Sequence, residues 1–118
     1  MKPTRYNLPI VQGSDVDFTV QIYADDGHTT LQNITGWTAK MQIRDKPGGT
    51  ILADSSTSDI TLTINGPAGE VLAHIAASKT SAFTWVEGAY DLFVFGPSNT
   101  PTDCVLFGDV TVQPQVTV

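Results

Sequence analysis

The chain has 118 residues, 41% of them apolar and 15% charged, and a net charge of −6. That length suits one domain around one core, and that composition is too hydrophobic for a disordered chain. Its six lysines and arginines are scattered, which excludes a nucleic-acid partner, because phosphate binding needs clustered cations to displace counterions. No apolar run approaches the roughly 20 residues that span a bilayer, and Met1 to Leu8 lacks the basic-then-apolar order of a secretion signal. The expectation is therefore no membrane partner and folding in a cytoplasm.

In chain order, the front segment RYNLPIV reads as a strand. In DVDFTVQIY, Val16, Phe18, Val20 and Ile22 alternate with Asp15, Asp17, Thr19 and Gln21, the pattern of a half-buried strand with one wet face. The turn ADDGHT ends it, with Gly27 free to take positive φ. TAKMQIRDKPGG points Ala39, Met41 and Ile43 inward and Lys40, Gln42 and Arg44 outward, until Pro47, Gly48 and Gly49 stop the strand. TILAD follows, then DITLTING with Ile60, Leu62 and Ile64, then GEVLAHIAA with Val71, Ala73 and Ile75. SKTSAF breaks the rhythm, and Ser78 there is expected to cap one helical turn reaching Phe83.

AYDLFVFG and CVLFGDVTVQ close the series, separated by the loop PSNTPTD. Val110, Val112, Val116 and Val118 share one phase, but Pro114 lacks an N–H and cannot sit inside a paired sheet, so the last strand should end near Gln113. The pattern predicts an all-β fold, an antiparallel immunoglobulin-like β-sandwich of seven or eight strands with one short helical turn at a corner. Residues 1–118 form one domain, with 1–4 and 114–118 as arms available to a partner. Trp37 takes the place of a central indole, and Tyr90 that of a tyrosine corner whose hydroxyl bonds backbone a few residues upstream.

Reactive residues form no constellation. The single cysteine, Cys104, excludes an internal disulfide, and its phase with Leu106 reads as a small buried hydrophobe. His28 falls in a turn and His74 on a solvated face, so shared metal ligation is not expected. Asp25 and Asp26 resemble the start of a calcium loop, yet Leu31 through Gly36 supply no acid, and a hairpin turn is the better reading. Asp15 and Asp17 share a wet face with no nucleophile beside them, and the serines of DSSTSD lack a Gly-x-Ser-x-Gly elbow. Asn33-Ile34-Thr35 matches a glycosylation sequon, without a secretion signal to bring it to the enzyme. The expectation is no enzyme, no cofactor and no metal.

Surface hydrophobicity is what remains. Tyr90, Leu92 and Val94 share one strand face and Phe93 and Phe95 the other, so one aromatic pair lies outside a two-layer core. Phe93 and Phe95 are candidate partner contacts, unless the loop PSNTPTD or the N-terminal strand covers them. The tail Gln115, Val116, Thr117 and Val118 is the second candidate, able to add to a sheet edge of an adjacent subunit or to fray.

The ordered pieces NLPIVQGSDVDFTVQI, DDG, NITGWTAKMQIRDKPGGTIL, DITLTI, GEVLAHIAASKTSAF, GAYDLFV and LFGDVTVQPQVT carry a resemblance. From Arg5 to Thr117 the chain resembles the small immunoglobulin-like virion modules of tailed bacteriophages, found at the N-terminus of baseplate upper proteins and as separate short proteins. The resemblance implies a non-enzymatic structural protein, made in the bacterial host's cytoplasm and located in the virion, with other virion proteins as partners in a multi-copy symmetric assembly. Two alternatives stand beside a tail, baseplate or fibre-attachment subunit. One is a capsid decoration protein; the other is a carbohydrate-binding module, which needs Trp37, Tyr23 or Trp85 as an exposed stacking platform.

Overall fold

The structure is a computed structural model and describes residues 3–24 and 30–117. The strands are β1 (Thr4–Arg5), β2 (Leu8–Val11), β3 (Val16–Gln21), β4 (Thr38–Arg44), β5 (Ile51–Asp54), β6 (Thr61–Asn65), β7 (Glu70–Ile75), β8 (Glu87–Phe95) and β9 (Thr102–Gln113). One helical turn, α1 (Ala77–Thr80), and a 3-10 turn at Pro97–Asn99 complete the chain. The turn expected at Asp25 to His28 lies outside the described residues, as do Met1, Lys2 and Val118.

The segment RYNLPIV divides into β1 and β2, with Tyr6 and Asn7 between them while the register against β9 runs on unbroken. This junction is held in place: the Tyr6 N–H donates to the Phe107 carbonyl at 2.8 Å, and the Asn7 side chain accepts the Asp109 N–H at 3.2 Å. Gly108 sits opposite, where any Cβ would run into the Tyr6 carbonyl.

Two sheets stack face to face. The larger has the order β1-β9-β8-β4-β5, with β2 also on β9, and the smaller has the order β3-β7-β6. With β3, β4, β6, β7, β8 and β9 taken as strands B, C, D, E, F and G, this is the strand arrangement of an immunoglobulin sandwich. The first strand differs from the four-stranded A-B-E-D sheet of that fold: it lies wholly beside β9, so no described strand occupies the A position next to β3. Pairing is antiparallel except at this edge, where Thr4 lies opposite Leu106 and Val11 opposite Gln113 in parallel. A parallel pair needs a long crossover. Here the rest of the domain supplies it.

The core lies between the sheets. Leu8, Ile10, Met41, Ile43, Leu92, Val94, Val110 and Val112 face it from one side and Val71, Ala73 and Ile75 from the other. Each large apolar side chain buried this way contributes about 1.5 to 3 kcal/mol, most of it offset by chain entropy. Ile34 is a core residue outside any strand, fully buried in the β3–β4 connection, with its N–H donating to the Gly66 carbonyl at 2.9 Å.

Three expectations are corrected. Cys104 is half-buried and does not share the phase of Leu106, because a bulge leaves Val105 without a partner: Leu92 pairs with Leu106, but Phe93 pairs with Cys104. Val105 and Leu106 both turn inward, and Cys104 moves to the outer face. The helical turn is shorter than expected and Ser78 does not cap it; the cap comes from Asp15, whose carboxylate accepts the Ala77 N–H at 2.7 Å.

Tyr90 also departs from a local tyrosine corner. Its hydroxyl donates to the Tyr6 carbonyl at 2.6 Å, 84 residues earlier, tying β8 to the junction between β1 and β2. Burial, with Tyr6 second, holds this phenol well above its ordinary titration range.

Candidate interaction surfaces

Three surfaces present chemistry to solvent. On the outer face of the larger sheet, Phe93 and Phe95 are half-buried and stack with ring centroids 6.4 Å apart. They follow from period-two alternation in β8, which turns Leu92 and Val94 into the core. Phe107 extends the aromatic surface on β9, where the Arg5 guanidinium lies 5.6 Å from its ring and also pairs with Asp109 at 2.9 Å. Cys104 lies across from Phe93. Burial and then the Asp91 carboxylate push its thiol up, which disfavours the nucleophilic thiolate.

The tail divides. The β9 ladder stops at Gln113, as the proline requires. Gln115 is held within the chain: its N–H donates to the Gln12 side chain at 2.9 Å, and its side chain packs on Gly13, where a Cβ would collide with it. Gln12 is itself held by the Phe83 carbonyl, to which its amide donates at 3.0 Å. Beyond this anchor Val116 is 92% exposed and Thr117 is exposed, while Val118 lies outside the described residues.

The third surface was not anticipated from sequence. A groove of about 730 Å³ runs between β3 and the β1–β9 edge, with Tyr6, Phe18, Val20, Tyr23, Val105 and Leu106 on its walls. The Tyr6 and Phe18 rings, both on its lining, pack against each other, tilted by 48° with centroids 6.4 Å apart. Phe18 and Val20 point inward in phase with Val16, yet both remain half-exposed. The alternation of β3 was readable; which sheet the first strand would join was not, and that choice creates the groove.

The remaining polar candidates serve structure. His74 Nδ1 lies 2.7 Å from the Asp17 carboxylate, directly cross-strand on the outer face of the smaller sheet. Asp15 caps α1. Asn33 of the sequon accepts both the N–H and the hydroxyl of Thr35, closing a tight turn. Asp25, Asp26 and His28 lie outside the described residues, and among the described residues no group of three His, Cys, Asp or Glu is placed to hold a metal. Trp37 and Trp85 are half-buried against the core, Trp85 on the Phe83 ring at 4.8 Å, and Tyr23, also half-buried, lies on the groove wall. No family model matches the sequence, and no curated protein matches it.

Proposed function

We propose that the chain is a structural contact module of a tailed-bacteriophage particle, an adaptor or accessory subunit of the tail, baseplate or fibre-attachment region. The observation that carries this reading is the stacked Phe93 and Phe95 pair, held on the side of the larger sheet that faces away from the core. Stacked aromatic side chains on a sheet offer contact area at small entropic cost, which suits binding by shape. The sequence resemblance supplies the particle, and the exposed Val116 supplies a second point of contact. In a symmetric assembly each copy meets neighbours already held in place, so modest contacts suffice.

The test is to purify particles and probe them for the protein, then repeat with Phe93→Ser/Phe95→Ser. The expected outcome is a variant that folds in solution but is missing from the particles. Absence of the unaltered protein from particles would sink the reading. Location by electron microscopy on the capsid lattice would move the module from tail to decoration.

A further inference from the structure

We infer that the free edge of β3 is a docking slot for an extended segment of a different protein, a strand with apolar residues alternating with lysine or arginine. The inference rests on the reading of the chain as a contact module and names the partner's chemistry.

Among the described residues β3 is paired on one side only. β7 covers one edge from Val16 to Gln21, and among the described residues no ladder covers the other. Alternate backbone N–H and C=O groups along that edge are left to water or to an incoming strand. In the four-stranded immunoglobulin sheet a first strand lies here. This chain's own first strand is committed to β9 from Thr4 to Val11.

The side chains along the edge point the same way. Phe18 and Val20 face inward but stay half-exposed, whereas Val71, Ala73 and Ile75 on the neighbouring strand are 0 to 2% exposed. The groove wall opposite includes Tyr6, a large aromatic that is 44% exposed. A strand added about 4.8 Å from β3 would set every second side chain over this apolar floor. Burying Tyr6, Phe18 and Val20 in this way supplies the hydrophobic part of the affinity.

Charge selects the partner. The other half of the incoming side chains would lie on the outer face, beside Asp17, Thr19 and Gln21, with Asp15 just ahead and Glu70 one strand further in. Among the described residues, neither this groove nor the cleft that continues it past Pro9 and Asp15 is lined by a lysine or arginine. Asp17 keeps much of its carboxylate exposed even while paired with His74. Cross-strand opposite charges are each worth about 0.2 to 1 kcal/mol, and like charges cost as much. A second copy of this chain would bring another net −6 and the same carboxylates to the edge, so the acids that discourage self-pairing favour a basic strand.

The experiment is a titration of the full chain, followed by backbone-amide and tyrosine NMR shifts, with a short synthetic peptide alternating valine and lysine and with its valine–glutamate counterpart. The expected result is shifts along Val16 to Gln21 and at Tyr6 and Tyr23 with the lysine peptide, weakened by salt. Asp17→Lys/Glu70→Lys should lower affinity for the lysine peptide roughly tenfold and admit the glutamate peptide, since the cross-strand charge at Asp17 and the charge at Glu70 one strand further in both change sign. Circular dichroism of the variant confirms that the fold is kept. Equal binding of both peptides, shifts centred on Phe93 and Phe95, no shifts at all, self-association through β3, or an oligosaccharide that shifts Tyr6 and Tyr23 when the lysine peptide does not would each overturn the inference. Detection in purified particles tests the module's location by itself, so either idea can fail while the other stands.

Discussion

The Tyr90 hydroxyl and the Tyr6 carbonyl are 2.6 Å apart and join β8, the third strand from the edge of the larger sheet, to the junction between β1 and β2. The bond ties the first stretch of the chain across β9 to β8. Tyr90→Phe keeps the buried ring but leaves the carbonyl without this donor. The expected loss is about 0.5 to 1.5 kcal/mol, the net contribution of one hydrogen bond, read as a lower urea midpoint with an unchanged slope.

Thr80 is fully buried, and its hydroxyl has three hydrogen-bond partners, one of them the Ala77 carbonyl at 3.2 Å. It donates to the Ser14 carbonyl at 2.8 Å and accepts the Gly13 N–H at 3.1 Å, fastening α1 to the β2–β3 turn. Thr80→Val is nearly isosteric and should cost about 1 to 3 kcal/mol. Asp15→Ala removes only the cap and should cost about 0.5 to 2 kcal/mol. Thermal unfolding of the two variants checks the ranking.

Shortening the tail separates its two parts. Removal of Val116, Thr117 and Val118 should leave stability unchanged within about 0.5 kcal/mol, because Val116 is 92% exposed and Thr117 exposed. Removal of Gln115 as well takes away the N–H that Gln12 accepts. That deletion should lower the unfolding midpoint measurably. If both deletions keep the fold and only their incorporation into particles falls, the exposed residues act as contacts.

Cys104 should react slowly. Burial and Asp91 raise its pKa above the ordinary 9.0, so at neutral pH the thiolate fraction is smaller than in a free cysteine. Iodoacetamide should alkylate the folded protein several-fold more slowly than the urea-unfolded chain, and the folded rate should still be rising at pH values where a free thiol has levelled off. Equal rates in the two states would count against the burial described.

Alternation made most strands legible in the sequence, since each two-residue period needs only local information: Met41 and Ile43 turn in, Lys40 and Gln42 turn out. Proline made the end of β9 legible for the same reason. The position of Cys104 was not legible, because in CVLFG apolar residues occupy both parities and nothing local says which one the bulge skips. Ile34 was hidden differently, as one apolar residue among polar neighbours whose burial depends on the Gly66 turn far along the chain. The partner of Tyr90 and the slot beside β3 both depend on the first strand choosing β9. The outward Phe93 and Phe95 were visible from sequence, and the groove was not, because a strand face is a local property and a vacancy between sheets is not.

The parallel run of the first and last strands fixes how the module responds to mechanical load. Tension applied at Thr4 and at Gln113 pulls β1–β2 and β9 past each other along their length, because the two attachment points lie at opposite ends of the shared ladder. The hydrogen bonds between Tyr6 and Phe107 and between Gln12 and Gln113 then resist together rather than opening one after another. A string of such units stretched end to end would yield abruptly at high force, and one gripped across the β8–β9 hairpin would peel apart gently.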